Sequence, residues 1–278
     1  MEVLRYAAFT DDPRGGNPAG VVLDADGLDE ARMLATAAEV GYSETAFLTP
    51  RGEHRFGVRY FSPLAEVPFC GHATIATGVA WAERHGEGEM LLDTVSGEVR
   101  VRTVSGDDGP RATLTSVPPH VVDIDAGDTA RLLDTLRWSR DELDAALPPR
   151  VAYAGAWHPV LAAATRERLS DLDYDFGALQ LLMAERDWTT VQLVHRTGET
   201  SFDDRNPFPP GGIVEDPATG AAAAAFGGYL RELGLVPVPA TLQLRQGDDL
   251  GRPSRLTVDV PAEPGTGISV TGAAVAIS

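Results

Sequence analysis

Hydrophobic and polar positions divide the chain into short periods of two, with a few stretches of helical spacing between them. Residues 3–9 read as a strand, and the turn-rich loop Asp11-Asp12-Pro13-Arg14-Gly15-Gly16-Asn17-Pro18 follows. Ala19–Leu23 is a second strand. From Leu28 to Val40 the apolar positions Leu28, Ala31, Leu34, Ala35 and Ala38 fall at helical spacing, and Gly41 stops the helix. Strands are predicted at Glu44–Leu48, Phe56–Phe61, Met90–Asp93, Glu98–Val104 and Ala112–Ser116. After the Pro-rich stretch 116–120 the order recurs. Helices are expected near Thr129–Leu133, Arg140–Leu147 and Phe176–Arg186, with strands near Trp157–Ala163 and Thr190–Val194. Thr241–Arg245, Ser254–Val260 and Gly267–Ile277 close the chain as strands.

Two segments stand out: Pro68-Phe69-Cys70-Gly71-His72-Ala73-Thr74 and Glu215-Asp216-Pro217-Ala218-Thr219-Gly220. Each opens a helix of small residues, one running toward Trp81 and the other toward Leu233. A helix N-terminus offers free N–H donors and a positive dipole end, so a pair of them can hold a carboxylate. Each half reads strand, helix, strand, strand, loop, small-residue helix, strands. The expected class is α+β with two pseudo-duplicated domains, 1–117 and 118–257.

Composition removes several function classes. The formal net charge of -18 argues against nucleic acid and anionic membrane as partners. It leaves a small anionic substrate open. All 23 basic residues are arginine, which excludes a lysine Schiff base and a Walker A loop. The single cysteine, Cys70, rules out an internal disulfide and fits a reducing compartment. With no basic-then-apolar leader and no apolar run of about 20 residues, a cytoplasmic location is expected. The six histidines show no ligand spacing and there is no Cys-x-x-Cys, so no metal site is expected. Gly41-Tyr42-Ser43-Glu44-Thr45 lacks the last glycine of a nucleophile elbow, and residues 86–91 fail the dinucleotide fingerprint.

The candidate chemistry is therefore acid–base. Glu44 starts a strand, where a carboxyl often points into a cleft and can take and return a proton; the plainer reading is a solvated strand-end glutamate. His72 lies in the first turn of its helix, either as a donor to substrate or in a capping or packing role. Asp216 precedes Pro217 and so reads as an N-cap with proline at the first helical position. Cys70 is either a thiol activated by a helix end or a small buried filler. Asn17 is most simply a turn residue, and otherwise an amide presented to a ligand.

These segments together resemble the PhzF family of phenazine-biosynthesis-like isomerases, which has the diaminopimelate-epimerase-like fold. The likeness rests on Gly16-Asn17-Pro18, Ser43-Glu44-Thr45-Ala46-Phe47 and Phe69-Cys70-Gly71-His72-Ala73-Thr74. It continues through Arg205, Phe208 and Gly211-Gly212-Ile213 to Glu215–Gly220, then Gln246-Gly247 and Gly251–Arg255. The resemblance implies two curved, mostly antiparallel sheets, each around a central helix, with the site in the cleft between them. It further implies that a C-terminal strand at about 258–278 returns to the first half, that homodimers form, and that no cofactor is used. It makes Glu44 the acid–base residue, with His72 and Asp216 orienting a small carboxylate substrate. Asn17, Ser43, Gly71, Ala73, Gly220 and Ala221 would line the binding site. Ala221 departs from the family serine, which puts the phenazine precursor itself in question as substrate.

The function expected is movement of a proton and a double bond in a small unsaturated carboxylic acid, with secondary metabolism as its expected setting. Two alternatives stand beside it: an amino-acid racemase or epimerase using Cys70, and a non-catalytic small-molecule-binding member of the family.

Overall fold

The computed structural model describes residues 1–106 and 109–278. They form two compact units, one of Met1–Thr115 with Thr271–Ser278 and the other of Ser116–Val270.

In the first unit the chain runs β1 (Leu4–Ala8), β2 (Asn17–Val22), α1 (Glu30–Val40), β3 (Glu44–Pro50), β4 (Arg55–Phe61), β5 (Glu66–Val67), α2 (Gly71–His85), β6 (Gly88–Thr94), β7 (Gly97–Gly106) and β8 (Gly109–Thr115). In the second it runs β9 (His120–Asp123), α3 (Ala126–Leu136), β10 (Arg150–Tyr153), β11 (Trp157–Ala162), α4 (Arg166–Ser170), α5 (Phe176–Arg186), β12 (Gln192–Arg196), β13 (Ser201–Phe208), β14 (Ile213–Asp216), α6 (Gly220–Glu232), β15 (Ala240–Gln246) and β16 (Ser254–Val260). The tail strand β17 (Ser269–Ala276) pairs with β1, Tyr6 opposite Ala276 and Ala8 opposite Ala274.

The strands of the first unit pair in the order β17–β1–β2–β3–β4–β6–β7–β8, and β8 meets β17 again, closing the sheet on itself. Closure removes the two outer edges that an open sheet would present. Helix α2 is enclosed by this sheet. Every residue from His72 to Ala82 is buried, as befits a helix with no charged face over that span. Outside the sheet, Met33 and Ala37 of α1 pack on Val22, Phe47 and Phe61.

Both units follow one pairing scheme. From β17 to β7 the successive pairs are antiparallel, antiparallel, parallel, antiparallel, parallel, antiparallel. From β9 to β16 the series is the same. A short strand precedes the central helix in each case, β5 against β4 and β14 against β13. The helices share their glycine spacing. Gly78 and Gly227 each lie seven positions after the first helical glycine, against Val101 Cγ1 and Val258 Cγ1 respectively, where an added Cβ would sit at 2.9 and 3.0 Å. The α+β, duplicated architecture read from the sequence is the observed one.

Three local readings need correction. Residues 140–147 are not a helix. Ser139 and Glu142 form a capping box around one 3-10 turn, Arg140–Glu142, and Leu143 leaves it in extended conformation to bridge Ala163. The tight reciprocal cap and the prolines at 148 and 149 leave no room for further turns. Strands β9 and β10 lack clear alternation and carry no signal in the sequence. Asn17 is not a turn residue: it opens β2 opposite Ala8 and is buried.

Candidate active site

The first unit gathers three titratable groups at one end of α2. Cys70 is the N-cap residue of that helix, in extended conformation and making no side-chain cap bond. Its place is fixed from behind: the Thr74 hydroxyl donates to the Cys70 carbonyl at 2.7 Å and meets the Tyr60 hydroxyl at 2.6 Å, while Phe69 packs edge-on against Tyr60. Burial raises the Tyr60 phenol far above its ordinary range, so it stays protonated. His72 follows two residues later, its ring toward the same point.

Glu44 reaches that point from another element. It is the first residue of β3, in register with Ala19 of the parallel neighbour β2, so Asn17 opens β2 at the same end of the sheet. The contacts are mutual. Glu44 Oε2 lies 3.5 Å from Cys70 Sγ and 3.4 Å from His72 Nε2, and Cys70 Sγ lies 3.3 Å from His72 Nδ1. Ser43 Oγ is 3.4 Å from His72 Nε2. The His72 side chain is 6% exposed and that of Glu44 14%, so only the glutamate reaches toward solvent. Among the described residues, Glu44, Cys70 and His72 form the group of three whose donor atoms could hold a metal ion, all within 4.8 Å of one another. Metal-ligand spacing rules miss such a group because the glutamate comes from a different strand.

Around these side chains, the first-turn amides of α2 belong to Gly71, His72 and Ala73, and the first turn of any helix lacks intrahelical acceptors for its N–H groups. A carboxylate placed there meets donors and the positive end of a 15-residue helix.

The second unit treats the equivalent helix end differently. Asp216 is not the N-cap. It is the last residue of β14, and α6 starts only at Gly220, with Thr219 as N-cap. Asp216 Oδ2 instead accepts from the Thr219 hydroxyl at 2.6 Å. Gln246 clamps this turn: its Nε2 donates to the Asp216 carbonyl at 2.7 Å, and its Oε1 accepts from Thr219 N–H at 2.9 Å. Gly247 beside it has φ +76°, and any Cβ there would lie 2.3 Å from the Arg252 carbonyl oxygen and 2.8 Å from that of Pro217. This explains why Gln246-Gly247 belongs to the motif set. Gln246 and Thr219 together hold Asp216.

Arg205 and Glu215 brace the same turn. The Arg205 guanidinium donates to both oxygens of Glu215, with its Nε at 2.9 Å from Oε2, and to the Ser170 carbonyl at 2.6 Å. Opposite Asp216 in the ladder stands Asn206, whose Oδ1 accepts from Thr190, in turn bonded to His158 Nδ1. Burial lowers His158 to about 4, so it is a neutral packing residue. Gly220 and Ala221 occupy the first two positions of α6.

The duplicated fold is shared with solved structures. The chain overlays the crystal structure of a PhzF-family phenazine biosynthesis protein from Bacillus anthracis with TM-score 0.89 and 25% identity, covering 100% of this chain and 98% of that one. It shares the fold alone with a probable proline racemase from Agrobacterium radiobacter, at TM-score 0.67, 16% identity and 99% and 91% coverage. The model for PhzC-PhzF, phenazine biosynthesis-like protein, matches residues 6–278. An Escherichia coli O157:H7 protein named as uncharacterized isomerase YddE is 33% identical over 99% of this chain and 95% of its own length. A trans-2,3-dihydro-3-hydroxyanthranilate isomerase from Pseudomonas fluorescens is 29% identical, over 95% and 93%. The chain belongs to the PhzC-PhzF family and is an isomerase of that family. Among the described residues, no helix is long and apolar enough to cross a membrane.

Proposed function

We propose that the protein isomerises a small unsaturated carboxylic acid without a cofactor, with Glu44 taking a proton from an activated carbon and returning it at another carbon of the conjugated system. One C–H bond breaks and one forms, the double bond moves, and no net proton is released. The observation that carries this reading is the convergence of Glu44, Cys70 and His72 at the start of α2, with the glutamate the most exposed of the three side chains. His72 is placed to hold the carboxylate of Glu44 in orientation. The amides of Gly71 and Ala73 suit the substrate carboxylate, while Asn17 and Ser43 line the same end of the sheet. Asp216, Gly220 and Ala221 enter on the family pattern as further orienting and binding groups. So do a homodimer, which light scattering would check, and a place in secondary metabolism. A lone cysteine fits a reducing cytoplasm.

The test is solvent-deuterium incorporation into trans-2,3-dihydro-3-hydroxyanthranilate, on which the Pseudomonas relative is named to act, and into related dienoic and hydroxy acids. Glu44→Gln, folded by circular dichroism, should lose about 10² to 10⁴ of turnover. Unchanged turnover removes Glu44 from the role. Ala221→Ser tests whether the hydroxyl of the family pattern widens the range of acids turned over. A second reading, racemisation through Cys70, draws support from the 3.5 Å contact of Sγ with Glu44. Full activity in Cys70→Ser excludes it.

A further inference from the structure

We infer that Glu44, Cys70 and His72 form a binding site for a zinc-class divalent cation, and that its occupancy switches the isomerase off. The argument is geometric. Around a tetrahedral ion, a thiolate sulfur at about 2.3 Å and nitrogen or oxygen ligands at about 2.0–2.2 Å stand about 3.3–3.7 Å from each other. The three edges here are 3.4 Å from His72 Nε2 to Glu44 Oε2, 3.5 Å from Glu44 Oε2 to Cys70 Sγ, and 3.8 Å from Cys70 Sγ to His72 Nε2. The three donor atoms lie within 4.8 Å of one another, and because the sulfur is nearer His72 Nδ1, at 3.3 Å, the ring has to turn to bring Nε2 to bear on the ion.

The donor set selects the kind of ion. Thiolate and imidazole favour zinc and its borderline neighbours over magnesium or calcium, which take oxygen ligands. Binding requires the Cys70 thiolate, and the thiol proton leaves to solvent as the sulfur–metal bond forms. The partial exposure of Glu44 supplies an entry path and leaves the fourth position open to water or to a ligand. The Thr74 hydroxyl, itself bonded to Tyr60, holds the Cys70 backbone carbonyl and so fixes the N-cap residue.

That occupancy blocks turnover rests on the reading of Glu44 above, since a metal-bound carboxylate cannot take a proton. Binding itself rests only on the geometry. The two are separated by titrating the chelator-treated, phosphine-reduced protein with Co²⁺ alone. One equivalent should produce a thiolate-to-cobalt charge-transfer band, which must come from Cys70 because the chain has a single cysteine. Zn²⁺ should displace the cobalt and remove the band. Cys70→Ser should lose the band, and Glu44→Gln and His72→Ala should each weaken binding at least about tenfold, the effect of 1.4 kcal/mol. No band in excess Co²⁺, or a band whose affinity neither variant changes, overturns the site. A band with full turnover at saturating Zn²⁺ supports the site and overturns the role of Glu44.

Discussion

Replacing Glu215 with alanine should cost the second unit about 3 kcal/mol. The Arg205 side chain is 9% exposed and that of Glu215 2%, so the pair is dry on both sides. Removing the carboxylate takes away two charge-assisted hydrogen bonds from the guanidinium, each worth about 1.5–3 kcal/mol. It also leaves a buried positive charge, and broken buried pairs cost about 3–5 kcal/mol. Two features pull the loss to the lower end of that range: the Ser170 carbonyl still accepts at 2.6 Å, and Asp249 stands 4.0 Å from the same guanidinium nitrogen. Urea unfolding followed by tryptophan fluorescence is the assay. Of the four tryptophans, Trp138, Trp157 and Trp188 lie in the second unit and Trp81 in the first, so the signal reports mainly where the pair sits. The paired replacement Arg205→Met with Glu215→Met removes both charges and should unfold at higher urea than Glu215→Ala alone. A loss below about 1 kcal/mol for Glu215→Ala, or a double variant less stable than the single, would refute the reasoning, because the desolvated guanidinium would then not be what the carboxylate supports.

Two further perturbations probe the interior. Burial holds the Asp204 carboxyl well above the usual carboxylate range, so the folded protein keeps a proton that the unfolded chain releases. Stability therefore falls as pH rises from about 4, the unfolded carboxylate value, through the folded one; in Asp204→Asn that fall should vanish, and parallel stability curves between pH 5 and pH 8 would contradict it. Gly78→Ala gains about 1 kcal/mol of helix propensity but drives a methyl against the fully buried Val101 and Ala112, an overpacking cost of about 1–3 kcal/mol. A net loss of about 1 kcal/mol in urea is expected from the midpoint of those ranges, and a more stable variant would show that the sheet yields.

The sequence resolved what local chemistry dictates. Gly41 is the left-handed stop of α1, and the Phe176–Arg186 periodicity is the helix seen. Glu44, Cys70 and His72 could each be named, but not their convergence, since β3 and the start of α2 are joined only through the sheet. Asp216 misled for a related reason. Asp-Pro is a good helix start, yet here Gln246, thirty residues on, takes the turn and moves the cap to Thr219. Long-range hydrogen bonds of this kind leave no periodic trace.

Duplication explains why the two helix ends look alike and behave differently. Cys70, Gly71, His72 and Gly78 in α2 stand where Thr219, Gly220, Ala221 and Gly227 stand in α6. The glycines recur because the surrounding sheet comes equally close in both units, which is a demand of packing. The chemical positions do not recur. At α6 the N-cap hydroxyl donates to Asp216 at 2.6 Å and accepts from Gln246 at 3.1 Å, and the second helical position is a methyl. At α2 the same positions carry a thiol and an imidazole whose contacts with Glu44 are 3.4 Å or longer. Three titratable side chains thus meet at the start of α2, whereas at α6 a hydroxyl and an amide close round a single carboxylate. The scaffold repeats its packing in both units but gathers the titratable cluster in one of them. There the proposed acid–base role and the proposed metal ion would have to compete for the same Glu44 carboxylate.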